Sequence, residues 1–206
     1  MPDLITMGLV TLFHPGDALD MIKRERRHLP LWRAAVLMLA LAVVDYTYIF
    51  YVNYVLGTKS AEQANILLEL AAAFLPLLSW VVCVFATTSV VVGEATFGEL
   101  LLGSAYALFP MIVLRPVLGL LSHVFTGQEA DVYRGLCLLM FAWTAVLLIL
   151  TVQRLNDYSF AKTVLVLFIS AVALLVLWAV LLLIFALVAQ VVYFLGELWR
   201  EFTMKI

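Results

Sequence analysis

Two ionisable side chains, Asp45 and Arg115, fall inside long apolar stretches of this 206-residue sequence. A charge held at membrane depth is costly, so such residues are the first candidates for function. Asp45 lies about 18 Å along a helix from Arg33, and Arg115 lies about 24 Å beyond Glu99, directly before Pro116. Both fall toward the outer half of the apolar layer. If their helices are neighbours, the two meet as an intramembrane polar pair. Otherwise each turns its charged end toward the outer headgroups. A place on a transport pathway is the third reading.

No other residue pattern supports catalysis. Ser104 and His123 share one helix but stand about 28 Å apart, far beyond a nucleophile–base hydrogen bond. His14, His28 and His123 have no cysteine or carboxylate at metal-ligand spacing. There is no phosphate-binding glycine loop, and Asp45 has no second intramembrane aspartate with which to form a dyad. Cys83 and Cys137 sit in apolar runs as packed thiols, not as a disulfide framework. The expectation is a non-enzymatic chain without metal or cofactor. A formal net charge of -2 gives no footprint for nucleic acid.

The elements that carry these residues follow from composition. Hydrophobic residues make up 66% of the chain and charged residues 13%, about half of what a soluble domain carries. Five apolar segments are each long enough to span the bilayer: about Leu31–Leu56, Leu67–Val92, Leu100–Phe125, Gly135–Val152 and Thr163–Leu195. Tyr46, Tyr48, Tyr51 and Tyr54 form an aromatic belt at the end of the first. The fold class is therefore all-α: a polytopic bundle of five transmembrane helices, with short interfacial amphipathic helices at both ends.

Residues 1–30 form a cytoplasmic head, 31–195 the membrane domain and 196–206 a C-terminal interfacial helix. In the head, Leu4–Phe13 is apolar but too short to span, so it lies at the interface or packs on the bundle. His14-Pro15-Gly16-Asp17 starts a helix whose Ala18, Leu19 and Ile22 share one face. Lys23, Arg24, Arg26 and Arg27 follow as anchors for anionic headgroups, with docking of a partner as the sharper reading. Basic residues favour an N-terminus in the cytoplasm: Lys23, Arg24, Arg26, Arg27, Arg33, Arg154 and Lys162 inside against Lys59, Arg134, Arg200 and Lys205 outside. The last apolar run is too long for one upright span. It continues into, or kinks at Gly196 toward, a surface helix with Val191, Leu195, Leu198 and Phe202 opposite Glu197, Arg200 and Glu201.

The link between the second and third spans, Gly93-Glu94-Ala95-Thr96-Phe97-Gly98-Glu99, is the most distinctive short feature. It reads as a tight turn in which Thr96 and Glu99 form a capping box, with Glu94 offering a docking or headgroup contact. Pro110 and Pro116 bend the third span, and Gly103 and Ala107 suit close helix contact.

This link and the Ala105-Tyr106-Ala107-Leu108-Phe109-Pro110 stretch after it resemble the Yip family of five-span membrane proteins. Phe13-His14-Pro15-Gly16-Asp17-Ala18 and Asn156-Asp157-Tyr158-Ser159-Phe160-Ala161-Lys162 are similar to phrases at the matching places of bacterial relatives. The resemblance implies five spans, a cytoplasmic N-terminus and no enzymatic activity. Eukaryotic members have long N-terminal regions linked to Rab-type GTPases. This chain has only a short head, which resembles a bacterial-type member in the cytoplasmic membrane. The expected role is a membrane scaffold or accessory subunit that binds other membrane proteins, binds itself or organises lipid. A transporter or channel component with Asp45 and Arg115 in its pathway is the alternative.

Overall fold

Hydrocarbon offers no partner to backbone N–H and C=O groups, so a chain this apolar must satisfy them within helices. The computed structural model describes residues 3–26, 29–53, 64–125 and 129–204, the side chains of 197–199 and 201–204 excepted. Arg27, His28, Tyr54, Leu56, Lys59 and Lys205, and the side chains of Glu197, Leu198, Glu201 and Phe202, lie outside the described residues. Eight helices are described: α1 (Leu4–Phe13), α2 (Pro15–Arg24), α3 (Trp32–Tyr51), α4 (Ile66–Val90), α5 (Phe97–Ala107), α6 (Phe109–Leu121), α7 (Ala130–Leu155) and α8 (Phe160–Met204). Five stretches are long and apolar enough to cross a membrane: α3, α4, α5 with α6, α7, and α8 as far as Gly196.

The third crossing is two helices. Pro110 has no N–H, and its ring would strike the Tyr106 carbonyl in an unbroken helix. The chain breaks at Leu108, whose N–H turns to the Ala105 carbonyl at 3.2 Å, and α6 restarts with Pro110 in its first turn. Pro116 is accommodated within α6. α5 is the central element, with Leu102 to Ala107 all buried and the Tyr106 ring fully enclosed. Small residues put it there. A Cβ on Gly103 would stand 2.8 Å from Thr151 Cγ2 of α7 and 3.4 Å from Leu19 of α2.

The short helices form at the N-terminal end, and their apolar faces are turned onto the bundle. Met7 of α1 and Ala18, Leu19 and Ile22 of α2 are buried in the main core cluster with Leu102, Ala105 and Tyr106 of α5. α2 packs against α5 and α7, and α1 against α5 and α6. Each buried Leu or Ile contributes about 1.5–3 kcal/mol if it would otherwise meet water, enough to hold a ten-residue helix in place.

Of the two courses the sequence left open for α8, the continuous one is found. It runs unbroken through Gly196 to Met204 as a 45-residue helix. A glycine in a helix interior costs only about 1 kcal/mol relative to alanine, too little to force a kink. Thr163, Val166 and Ser170 are buried at helical spacing against the bundle, and the stripe fades at Leu174 and Leu177. From Trp178 to Leu195, apart from a half-buried Ala189, every residue is exposed.

Candidate functional site

The polar side chains gather at two places. The first lies at the end of the bundle that carries α2, where the 93–99 link and the 156–159 link meet. α4 and α7 both end there in the same way. The Gly93 N–H reaches back to the Thr88 carbonyl at 2.7 Å, and the Tyr158 N–H to the Gln153 carbonyl at 3.0 Å. These six-residue closures are Schellman motifs and require a left-handed residue just past the cap. Val92 (φ 55°) and Asp157 (φ 50°) take that position without being glycine. For a β-branched valine this conformation is strained.

The strained turns bring acids under the basic helix. Lys23 Nζ pairs with Asp157 and stands 3.6 Å from Glu94. Arg26 donates to the Glu94 carbonyl at 2.6 Å and its Nε lies 3.5 Å from buried Glu99. The hydrogen bond to Asp157 raises the Lys23 pKa above its ordinary value, although partial burial opposes this. Glu99 also completes the expected capping box with Thr96. Gly93 is wedged: a Cβ there would be 2.4 Å from Asn156 Oδ1 and 2.7 Å from Tyr158 Oη. Asn156 Oδ1 is already held by the Ala95 N–H at 3.2 Å. Gly98 faces Leu31, and Phe97 meets Phe85 edge-on at 5.7 Å. Lys23 and Arg26 thus face carboxylates, and Arg24 and Arg26 are both exposed. The 93–99 link carries acids without a base because α2 supplies the bases.

The second place lies toward the opposite end. Asp45 of α3 and Arg115 of α6 form an ion pair, with 16% and 22% of their side chains exposed. The Arg115 guanidinium also sits over the Tyr48 and Phe141 rings, at 5.8 and 5.9 Å. The Tyr48 and Tyr133 hydroxyls are hydrogen-bonded to each other. Asp45, Tyr48 and Arg115 border a cavity of about 540 Å³ whose lining also includes Glu69, Trp80 and Leu174. Glu69 was not singled out from sequence. It sits in the first turn of α4, where the apolar run begins, and reads as a boundary residue. Yet it is 4% exposed. The signal that could have found it is Asn65, whose side chain accepts the Leu67 N–H and so fixes the helix start, placing Glu69 one turn inside.

Elsewhere in the spans, three threonine hydroxyls are satisfied within their own helices. Thr87, Thr144 and Thr151 each donate to the carbonyl four residues back, at 2.8–3.0 Å.

The all-helical fold with five membrane-length helices defines a polytopic integral membrane protein. The Yip1 domain matches residues 9–183, most of the chain, and the chain belongs to that family. No curated protein matches the chain, and no solved structure does.

Proposed function

We propose that this chain is a non-enzymatic scaffold or accessory subunit that binds other membrane proteins, or further copies of itself, or organises lipid. Its N-terminus lies in the cytoplasm, and the bacterial cytoplasmic membrane is its site. The observation that carries this reading is the second half of α8. Phe160–Gly196 is 37 residues of apolar helix, about 55 Å long at 1.5 Å per residue, against a hydrocarbon core of about 30 Å. From Trp178 to Leu195 its residues are exposed, Ala189 apart. A helix of this kind has contact surface to offer to another helix or to lipid. The basic residues of the head do not offer the same, because Lys23 and Arg26 already face acids. Headgroup anchoring falls to Arg24 and Arg27.

The second reading, a transporter or channel component with Asp45 and Arg115 in its pathway, draws on the 540 Å³ cavity. The self-satisfied hydroxyls weigh against it. Purification in mild detergent is expected to yield a membrane-protein partner, or a homo-oligomer, at fixed stoichiometry. Solute flux through liposomes holding the purified chain, abolished by Asp45→Asn, would overturn the scaffold reading.

A further inference from the structure

The cavity bordered by Asp45, Glu69 and Arg115 has the features of a ligand site, whether or not anything crosses the membrane through it. Its volume, about 540 Å³, falls in the range of about 300–1,000 Å³ typical of small-molecule pockets. Its wall is divided by chemistry. Asp45, Glu69, Arg115 and Tyr48 supply the polar part, and Leu41, Leu77, Leu108 and Leu174 the apolar part. Glu69 is three residues from the start of α4, and Asp45 and Arg115 are each six from the ends of α3 and α6. The polar part therefore lies within about 10 Å of the helix ends. An amphiphile lying with its head near the membrane surface and its body deeper would match this arrangement.

The sign of the head group follows from the acceptors. The Arg115 guanidinium is already engaged by Asp45 and by two aromatic rings. An ionised carboxylate has about four lone-pair sites. Asp45 can therefore keep Arg115, and Glu69 its existing contacts, while each still accepts further hydrogen bonds. We propose that the cavity binds an amphiphilic ammonium ion. Its ammonium is received by Glu69 and Asp45, and its apolar body packs among the leucines. The ammonium can belong to an aminophospholipid headgroup or to a free lipophilic amine. This inference stands apart from the scaffold reading.

The test is a titration of the purified, delipidated full chain, followed by native mass spectrometry. The probes are dodecylamine, dodecanol, phosphatidylethanolamine and phosphatidylglycerol. One dodecylamine should bind at least tenfold more tightly than dodecanol. Glu69→Gln should weaken it at least tenfold, and Ala73→Trp, which fills the cavity, should abolish it. Binding of phosphatidylethanolamine over phosphatidylglycerol supports the proposal and assigns the lipid as source; dodecylamine binding without either lipid supports it and assigns the free amine. Equal binding of dodecanol and dodecylamine by the unmodified chain overturns the proposal, even if the variants fail to fold. So does unchanged dodecylamine affinity in folded Glu69→Gln and Ala73→Trp.

Discussion

At the scale of single residues, close approach and charge pairing dominate. Gly93 is fixed by what surrounds it. The Asn156 side chain that a Cβ would strike is held at both ends, by the Ala95 N–H and by the Val152 carbonyl, so it cannot swing aside freely. Gly93→Ala is expected to cost about 1–3 kcal/mol, as overpacking does, and to lower the melting temperature in detergent. Its neighbour Val92 should respond in the opposite sense. Glycine takes a left-handed conformation without the penalty that a β-branched side chain meets, so Val92→Gly should stabilise the protein by about 1 kcal/mol. The same melting experiment reads both, and a fall with Val92→Gly would contradict strain at this turn. For Asp45 and Arg115, removing one partner leaves a charge in an apolar setting. Full burial makes that cost about 3–5 kcal/mol, and the partial exposure of this pair makes it less. Asp45→Arg or Arg115→Asp alone should reduce the yield of monodisperse protein, and the double swap should restore it. A swap no better than the single variants would deny the pair its structural role.

At the scale of elements, the head is the piece whose attachment can be tuned. Lys23 binds its proton more tightly in the folded chain than in the unfolded one, because of Asp157. The stability this confers is fully present below the ordinary lysine value of about 10.4 and is lost as pH rises through the higher folded value. Burial also pushes the Tyr158 phenol up, so its contribution falls in the same alkaline direction. A spin label on exposed Asp20 of α2 should therefore stay immobile through neutral pH and gain mobility in strong alkali. With Lys23→Met the change should be shallower. The same alkaline mobility profile in Lys23→Met as in the unmodified chain would show that Lys23 does not hold the head.

The elements also show what the sequence could disclose. Each of the first four apolar segments overlaps its helix to within a few residues, because hydrocarbon leaves the backbone no alternative to helix. Pro110 announced a bend, and the structure makes it a full break at Leu108. The capping box was legible because Thr96 and Glu99 are three residues apart. The pairing of Lys23 with Asp157 was not, since 134 residues separate them and no local pattern records it. Glu69 was overlooked for a different reason: an acid one turn inside a helix start resembles a surface residue until the packing of α4 against α3 and α8 encloses it. At Gly196 the sequence left a kink and a continuous helix open, and the helix continues because glycine weakens a helix without ending it.

At the scale of the whole molecule, polar groups are sorted to the two ends and the middle is packing surface. One end carries the α2 bases over the acids of the 93–99 and 156–159 links; the other carries Asp45, Arg115 and Glu69 around the cavity. Between them, α5 fills the centre, and Thr87, Thr144 and Thr151 turn their hydroxyls onto their own helices. The remaining large feature is α8, which packs on the bundle as far as Trp178, where its indole N–H meets Ser79 at 3.3 Å, and whose residues are then exposed to Leu195, Ala189 apart. The scaffold reading rests on that free length. Photo-crosslinking in intact membranes, with a crosslinker placed in turn at successive positions from Leu181 to Leu195, tests it most directly. The account predicts one reproducible membrane-protein adduct, a partner or a second copy of this chain, or one lipid species, confined to one helical face. Weak, uniform adducts to bulk lipid at every position would contradict it.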